Sequence, residues 1–197
     1  MREGLDCCVQ GVSLSRQAIN DVLKKHGLNG YRREQNGWKF FRAKEPDELW
    51  QLDIKGPFLV CGKKYWFLIC IDDYSRYLLL CEQFDCEPTT NEIIACLEKI
   101  PRKPKNILTD NGSQFKKRWR RWCRRKRIVP LFAHPYYPQD KGKVERAIRN
   151  VAEEFVNLLA KFPEWLGNTN EYRLWYDQHR YHRGIGCRPA ELYRCVI

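Results

Sequence analysis

The sequence LWQLDIKGPFLVCGKKYWFLICIDDYSRYLLLCEQF (residues 49–84) contains three strand patterns in succession. In the first, every second residue from Trp50 to Ile54 is apolar and the residues between them are polar, which is typical of a half-buried strand. A turn at Gly62 leads into the unbroken apolar run of residues 65–71, which predicts a central strand covered on both faces. A pair of aspartates ends this run, and a third apolar stretch follows directly.

Helix and strand patterns alternate after these three strands. Residues 90–99 predict a helix, NILT (106–109) a strand, the basic stretch 116–127 a helix and IVPLF (128–132) a fifth strand. A last helix is predicted from about residue 141 to 159, with an apolar face formed by Val144, Ile148, Val151, Phe155 and Leu158. This order of elements predicts an α/β fold in which helices flank one five-stranded mixed sheet.

The residues before this pattern predict a short helical segment followed by a polar linker. Ser15 is a suitable N-cap for an amphipathic helix that Gly27 is suited to end. The helix is typical of the recognition helix of a helix-turn-helix whose first helix is truncated, and an ordinary amphipathic helix is the alternative. We therefore predict three parts, which are a helix-turn-helix-like segment with its linker (1–44), a core (45–160) and a C-terminal helical extension (161–197).

The chain is strongly basic, with 36 Lys+Arg against 24 Asp+Glu and a formal net charge of +12. The excess is concentrated in KKRWRRWCRRKR (residues 116–127), where nine of twelve residues are basic and none is acidic. Such a block indicates a polyanionic partner, of which nucleic acid is the commonest, and a solvated helix face is the alternative. The candidate phosphate contacts in this block are Lys116, Lys117, Arg120, Arg121 and Arg124.

Several classes of protein do not fit the sequence. No run of about 20 apolar residues is present, so no membrane span is predicted. The first residues, MREGLDCCVQ, lack the apolar core of a secretory signal, so we expect an intracellular protein of the cytoplasm or nucleoid. The ten cysteines include no C-x-x-C pair and have no zinc-ligand spacing. Most of them, such as Cys61, Cys70 and Cys81, are expected to be small buried residues on strands.

Three carboxylates occur where the predicted sheet and its helices could bring them together. Asp53 is in the middle of the first strand, Asp110 directly follows NILT, and Glu145 is near the start of the last helix. Three carboxylates within about 4 Å would repel one another by about 4 kcal/mol per pair at an effective dielectric of about 20, so such a cluster needs a cation. Oxygen ligands without His or Cys indicate Mg²⁺ or Mn²⁺. Taken singly, each acid fits a surface residue or a helix cap better.

The segments WQLDIKGPF, ILTDNGSQF and HPYYPQDKGKVERAIRN closely resemble the three signature blocks of the integrase catalytic core, in the same order. Retroviral integrases and insertion-sequence transposases share this ribonuclease H-like core. The closing WYDQHRYHRGIGCRPAELY is similar to the tail common in insertion-sequence transposases, and the resemblance covers roughly residues 45–195. It implies a ribonuclease H-like fold and makes Asp53, Asp110 and Glu145 the catalytic metal ligands of an Asp-Asp-Glu enzyme.

The activity that this resemblance implies is DNA transposition or integration. The transposon end would be nicked, and the exposed 3′-OH would be joined to double-stranded target DNA. Two divalent ions, Mg²⁺ or Mn²⁺, would activate the attacking oxygen and stabilise the leaving oxygen. Lys141, Lys143 and Arg149 are candidate contacts to the donor-end phosphates. Because two ends must be paired, a homo-oligomer of two or more chains is expected by analogy.

The sequence also departs from the family and leaves alternatives open. Lys141 stands where the family often has Asn, and we do not expect the zinc-binding amino-terminal module of retroviral integrases here, because His26 and the pair Cys7-Cys8 cannot supply its ligands. Asp72 and Asp73 are rival acids, but the matching Asp-x-Ser-Arg stretch is mostly structural in the family. We therefore expect Asp72 to brace its turn through hydrogen bonds. The alternative functions are a ribonuclease H-like nuclease without strand transfer, and a non-catalytic DNA-binding remnant or domesticated transposase.

Overall fold

The structure is a computed structural model. The residues that it describes are 8–9, 12–13, 15–26, 43–133, 142–159, 161–162, 164 and 167–194. The chain divides into two compact units, residues 1–41 and 42–197. The domain boundaries predicted at residues 44 and 160 stay predictions.

The first unit contains a two-stranded ladder and a helix among its described residues. β1 (Cys8–Val9) pairs antiparallel with β2 (Val12–Ser13), and α1 spans Arg16–Lys25. Ser15 caps α1 as predicted, because its hydroxyl accepts a hydrogen bond of 3.2 Å from the Ala18 N–H. The described residues directly before α1 thus pair as strands, and the helix-turn-helix interpretation stays a prediction.

The second unit is built on the predicted five-stranded mixed sheet. β3 (Leu49–Val60), β4 (Lys63–Asp72) and β5 (Leu78–Phe84) form an antiparallel meander. β6 (Asn106–Thr109) adds parallel to β3, and β7 (Val129–Phe132) adds parallel to β6. The strand order is therefore β5-β4-β3-β6-β7, with β3 at the centre. The predicted ribonuclease H-like fold class is confirmed.

Helices cover both faces of this sheet. They are α2 (Thr90–Glu98), α3 (Lys117–Lys126), α4 (Gly142–Asn150), α5 (Asn157–Leu159), α6 (Thr169–Gln178) and α7 (Pro189–Arg194). One hydrophobic core contains side chains of α2, α3 and β3, and a second core contains those of α4, α6 and β4. Within the described residues, no helix has the length and hydropathy that a membrane span requires.

The start of β3 is buried on both faces, whereas the sequence predicted a half-buried strand. Trp50 and Leu52 belong to the core under α2 and α3, as the alternation predicts. Gln51 is only 2% exposed and Asp53 only 9%, because α4 covers the opposite face. The prediction of a half-buried strand was wrong because α4, which covers the second face, is distant in the sequence. The residues of the strand alone do not indicate that a helix covers this face.

Two details of the predicted core also differ. Cys61 is exposed, because it and Gly62 form the two-residue turn between β3 and β4 with φ of 49° and 77°. Leu158 is 37% exposed and Leu159 is buried instead. The preceding residues Val151–Val156 form a π-helix, whose wider turns shift the apolar face relative to a regular α-helix. Cys70 and Cys81 are buried free thiols, as predicted.

The end of the second unit packs against its beginning. The Tyr193 hydroxyl of α7 donates a hydrogen bond of 2.7 Å to Asp47, which lies just before β3. Arg102 forms an ion pair of 2.5 Å with the same carboxylate, and the Tyr193 ring stacks on Tyr77 at 4.3 Å. α7 is therefore held against the residues that precede the central strand.

Candidate active site

Asp53 lies on β3, and Asp110 directly follows the neighbouring parallel strand β6. The ladder between β3 and β6 pairs Leu49 with Asn106 and Gln51 with Leu108. Asp53 and Asp110 each lie two residues beyond the Gln51–Leu108 pair, and adjacent strands in a sheet are about 4.8 Å apart. The strand order thus brings two of the three predicted ligands to neighbouring backbone positions.

The Asp110 carboxylate is oriented by the turn that follows β6. Its Oδ1 accepts a hydrogen bond of 2.9 Å from the Gly112 N–H. A Cβ atom at Gly112 would lie only 2.9 Å from that oxygen, so a larger residue there would have to push the Asp110 carboxylate aside. The Asn111 side chain donates to the Ala133 carbonyl at 3.0 Å and ties the turn to the end of β7.

Glu145 lies in the first turn of α4 and is exposed. The preceding residue, Val144, is buried, and its N–H donates a hydrogen bond of 3.1 Å to Oε1 of Gln51. Gln51 and Asp53 are two residues apart on β3 and therefore point to the same face. The first turn of α4 is thus held over the face of the sheet that carries Asp53.

A buried polar network surrounds this contact. Nε2 of Gln51 donates to Oδ1 of Asp73 at 2.7 Å, and the Ala43 N–H donates to Oδ2 at 2.8 Å. The Lys143 ammonium contacts both oxygens of Asp73, at 2.7 and 2.6 Å. Asp73 is fully buried and the Lys143 side chain is 12% exposed. Lys143 therefore neutralises a buried carboxylate next to the predicted ligands.

The three acids share one side of the sheet but do not form a preassembled cluster. Among the described residues, which include Asp53, Asp110 and Glu145, no group of three or more His, Cys, Asp or Glu is close enough to hold a metal ion. The chemistry of the donor set does fit Mg²⁺ or Mn²⁺, because all three candidates are carboxylates. Their role as metal ligands stays a prediction.

The neighbouring acid Asp72 has the structural role that we predicted. Its carboxylate accepts hydrogen bonds from the Asp47 N–H (2.8 Å), the Ser75 N–H (2.8 Å) and the Ser75 hydroxyl (2.6 Å). Burial raises the pKa of Asp72, while the hydrogen bonds from Ser75 and Asp47 act in the opposite direction. The predicted brace of the turn is confirmed by the two hydrogen bonds from Ser75, and the bond from Asp47 additionally joins β4 to the segment before β3.

The predicted DNA contacts fall into three groups. Arg149 is exposed on α4, one turn beyond Glu145, whereas Lys141 lies outside the described residues. Lys143 is engaged with Asp73, as given above. The predicted contacts Lys116, Lys117, Arg120, Arg121 and Arg124 are all exposed, at or within α3. Trp119, Trp122 and Cys123 form the buried side of α3, as predicted.

A basic groove of about 700 Å³ lies between α2 and α3. Its cationic lining consists of Lys117, Arg118, Arg121 and Arg125. The acid in the lining, Glu98, is already engaged, since it forms an ion pair with Lys126 at 3.0 Å and accepts from Trp122 Nε1 at 3.1 Å. The groove therefore retains a positive charge that can attract a polyanion.

Sequence reasoning missed Gln51 and undervalued Asp73. Gln51 is a polar residue on the same strand face as Asp53. This two-residue spacing could have identified Gln51 as a residue of the site. Asp73 was considered only as a rival acid beside Asp72. Its partner Lys143 lies 70 residues away in the sequence, so no local pattern could have joined the two.

The central β3 beside a parallel β6, with a helix covering the face that carries Asp53, defines a ribonuclease H-like core. Two protein-family models, both described as integrase core domain, match the sequence. One matches residues 43–138 and the other matches residues 126–189. The chain belongs to the integrase core family.

Similar proteins come from retroviruses. The Gag-Pro-Pol polyprotein of squirrel monkey retrovirus is 31% identical over 125 residues, which are 62% of this chain and 6% of the polyprotein. The Pol-related polyprotein of mouse intracisternal A-particle MIA14 is 28% identical over 133 residues, which are 66% of this chain and 15% of that protein. The chain thus spans only a small part of the curated relatives that it matches.

The fold is also found in a solved integrase core. The HTLV-2 integrase catalytic core domain in complex with magnesium has a TM-score of 0.64 and 22% sequence identity. The likeness covers 77% of this chain and 99% of that one. Because the sequence identity is only 22%, this similarity shows a shared fold and nothing more. The nearer kinship with insertion-sequence transposases, which the sequence blocks indicated, stays a prediction.

Proposed function

We propose that this chain transfers DNA strands, by nicking the end of a mobile element and joining the exposed 3′-OH to double-stranded target DNA. The observation that carries the proposal is the placement of the three acids. Asp53 is on β3, Asp110 directly follows the neighbouring parallel strand β6, and Glu145 is in the helical turn that Gln51 holds over the face of the sheet that carries Asp53. Family membership supports polynucleotidyl transfer as the reaction class.

Asp53, Asp110 and Glu145 would hold divalent ions, two of them in our proposal. When bound, Mg²⁺ or Mn²⁺ supplies Lewis-acid activation of the attacking oxygen and stabilises charge on the leaving 3′ oxygen. The magnesium named for the HTLV-2 integrase core supports this class of ion. The rigid turn around Asp110 would keep its second oxygen directed to the site, because the first oxygen is held by Gly112.

The basic residues would bind and orient the DNA. Arg149 lies on the same face of α4 as Glu145 and would hold donor-end phosphates together with Lys141. The exposed side of α3 would add contacts to the phosphate backbone that do not depend on base sequence. Lys143 would have to leave Asp73 before it could make the phosphate contact that we predicted for it.

We propose that the active form contains at least two copies of the chain, because two element ends must be paired. Similar integrases support this expectation. The HTLV-2 core was solved in dimeric and trimeric forms. The simian T-cell lymphotropic virus intasome has a chain with a TM-score of 0.70 and 22% identity, and the likeness covers 79% of this chain and 57% of that chain. Light scattering with paired DNA ends measures the number of copies.

Glu145→Gln tests the proposal most directly. Glu145 is exposed and its neighbours Val144 and Ile148 provide the packing, so thermal stability without metal should be nearly unchanged. Nicking and strand transfer should both fall at least about 100-fold, because one anionic ligand is lost. DNA binding without metal should survive. Glu153→Gln, an exposed acid further along the same helical segment, is the matched control and should retain activity.

The assay also separates the alternatives. A variant that cuts and joins like the parent would exclude Glu145 as the third ligand. A parent that hydrolyses DNA but never joins it would be a nuclease. A parent that binds DNA and never cuts any end sequence with Mg²⁺ or Mn²⁺ would be a non-catalytic remnant.

A further inference from the structure

A buried polar network connects β3, the end of β4 and the start of α4. We propose, on the basis of the function proposed above, that Gln51, Asp73 and Lys143 are positioning residues. They fix the first turn of α4, and with it Glu145, relative to Asp53 before any metal ion binds. Gln51, Asp73 and Lys143 are not themselves predicted metal ligands, so their role differs from that of the three acids.

The first link is a cap that the sheet provides for the helix. The first four N–H groups of a helix have no acceptor within the helix, and the Val144 N–H is one of these in α4. Its partner is Oε1 of Gln51 at 3.1 Å, from a side chain that is 2% exposed. Gln51 is two residues from Asp53, and Val144 directly precedes Glu145. One side chain therefore couples the backbone positions of two predicted ligands.

The second link fixes the orientation of the Gln51 amide. An amide that turned over would present its NH₂ group to the Val144 N–H, and the bond would be lost. Asp73 prevents this, because its carboxylate, which is ion-paired with Lys143, accepts a hydrogen bond of 2.7 Å from Nε2 of Gln51. The carboxylate thus determines that Oε1 of Gln51 points to the helix.

The third link fixes Asp73 and adds a second tie to the helix. The Lys143 ammonium contacts both oxygens of this fully buried carboxylate, and the Ala43 N–H holds Oδ2 at 2.8 Å. Lys143 lies two residues before Glu145. The first turn of α4 is therefore tied to the sheet at two consecutive residues, by the Lys143 ammonium and by the Val144 N–H. The ion pair is neutral as a whole, so these ties add no net charge beside the acids.

Two charge-neutral changes test this role without altering the electrostatic attraction for a cation. They are Gln51→Met and the double variant Asp73→Asn/Lys143→Met. Each should weaken Mn²⁺ binding about 10- to 100-fold, as changes in residues that orient metal ligands do. Amide hydrogen exchange at Val144 in the metal-free protein should become faster in both. Lys143→Arg retains the cation and should stay close to the parent in both measurements.

Asn157→Met is the matched control, since it replaces an exposed polar residue of α5 by the same apolar side chain. It should change neither Mn²⁺ affinity nor exchange at Val144. Circular dichroism establishes that each variant is folded. If the double variant does not fold, Gln51→Met alone tests the proposal, since it leaves the Asp73–Lys143 pair in place.

The outcomes separate this inference from the proposed function. Mn²⁺ affinities within about twofold of the parent, together with unchanged Val144 exchange, would overturn the positioning role. In a second outcome, the parent binds Mn²⁺ and the variants bind it weakly, but the parent joins no DNA. This result would support the positioning role and overturn the proposed function. A parent that binds no Mn²⁺ would overturn both.

Discussion

Three of the buried acids among the described residues lie where separate elements meet. Asp72 joins β4 to the residues before β3, Asp73 joins β4 to α4, and Asp177 joins α6 to β5. Each accepts a backbone N–H, and a buried acid without such partners would cost several kcal/mol. These residues therefore determine how the elements are placed relative to one another, and they are sensitive positions for substitution.

Asp177 should make the stability of the fold depend on pH. It is fully buried, and its Oδ1 accepts from the Leu78 N–H at 2.7 Å. Burial raises the pKa of Asp177 to about 8 from an ordinary value of 3.8, although that hydrogen bond and Arg173 act in the opposite direction. Between these values the folded state holds a proton that the unfolded state has released. The contribution of Asp177 to stability therefore falls as pH rises toward 8.

Asp177→Asn tests this sign. Asn keeps an acceptor for the Leu78 N–H and cannot ionise, so the parent should lose thermal stability relative to the variant between pH 6.5 and 8. Thermal denaturation of both proteins across this pH range measures the difference in stability. His182 is common to the parent and the variant, so its contribution cancels in the comparison; in the folded state burial, Arg180 and Arg76 lower its pKa from 6.5 to about 4. Parallel pH profiles of the parent and the variant would contradict the prediction.

Gly112→Ala should displace the Asp110 carboxylate. Gly112 has φ −56°, which alanine adopts freely, so the effect is steric. The new Cβ would lie 2.9 Å from Asp110 Oδ1 and 2.7 Å from Gln114 Oε1. We expect strand transfer to fall about 100-fold, the usual effect of a displacement of about 1 Å in an active site. Gly184→Ala, where nothing lies within 4 Å of the new Cβ, is the control. Equal activity of both variants would show that Asp110 need not be fixed.

Among the elements, α3 carries the concentrated positive charge. Replacing the exposed Lys116, Lys117, Arg121 and Arg124 by Gln should reduce the dependence of DNA binding on salt. The slope of log K against log salt should fall by up to about 0.9 per lost contact, or about 3–4 in all. Titrations at several salt concentrations measure this slope.

The matched control removes four exposed lysines elsewhere, Lys63, Lys64, Lys103 and Lys161. It changes the net charge by the same amount, and it should leave the slope closer to that of the parent. An unchanged slope in the α3 variant would place the DNA surface elsewhere, and the block would then be a solvated helix face.

The elements also show how far sequence reasoning reaches. β4 was predictable because its apolar run is continuous, and the buried side of α3 was predictable from the spacing of Trp119, Trp122 and Cys123. The burial of Gln51 and Asp53 was not, because it depends on α4. The exposure of Leu158 was not either, because a π-helical stretch leaves no periodic signal in the sequence.

At the scale of the whole molecule, the candidate site depends on long-range placement. Asp53 and Asp110 become neighbours only through the parallel pairing of β3 with β6. That pairing was implied by the resemblance of the sequence blocks and not by local pattern. The positioning network depends on the same assembly, since its three side chains come from β3, α4 and the residues after β4. The three acids could be predicted from the sequence, whereas the residues that position them could be identified only from the folded structure.

The contact of α7 with the residues before β3 has a consequence for chain connectivity. Because Tyr193 and Asp47 are joined by a direct hydrogen bond, a short glycine-rich linker could connect residue 194 to residue 43. The chain could then be reopened at the exposed turn between Cys61 and Gly62. Such a circular permutant of the second unit should fold to the same sheet, since exposed turns tolerate new termini.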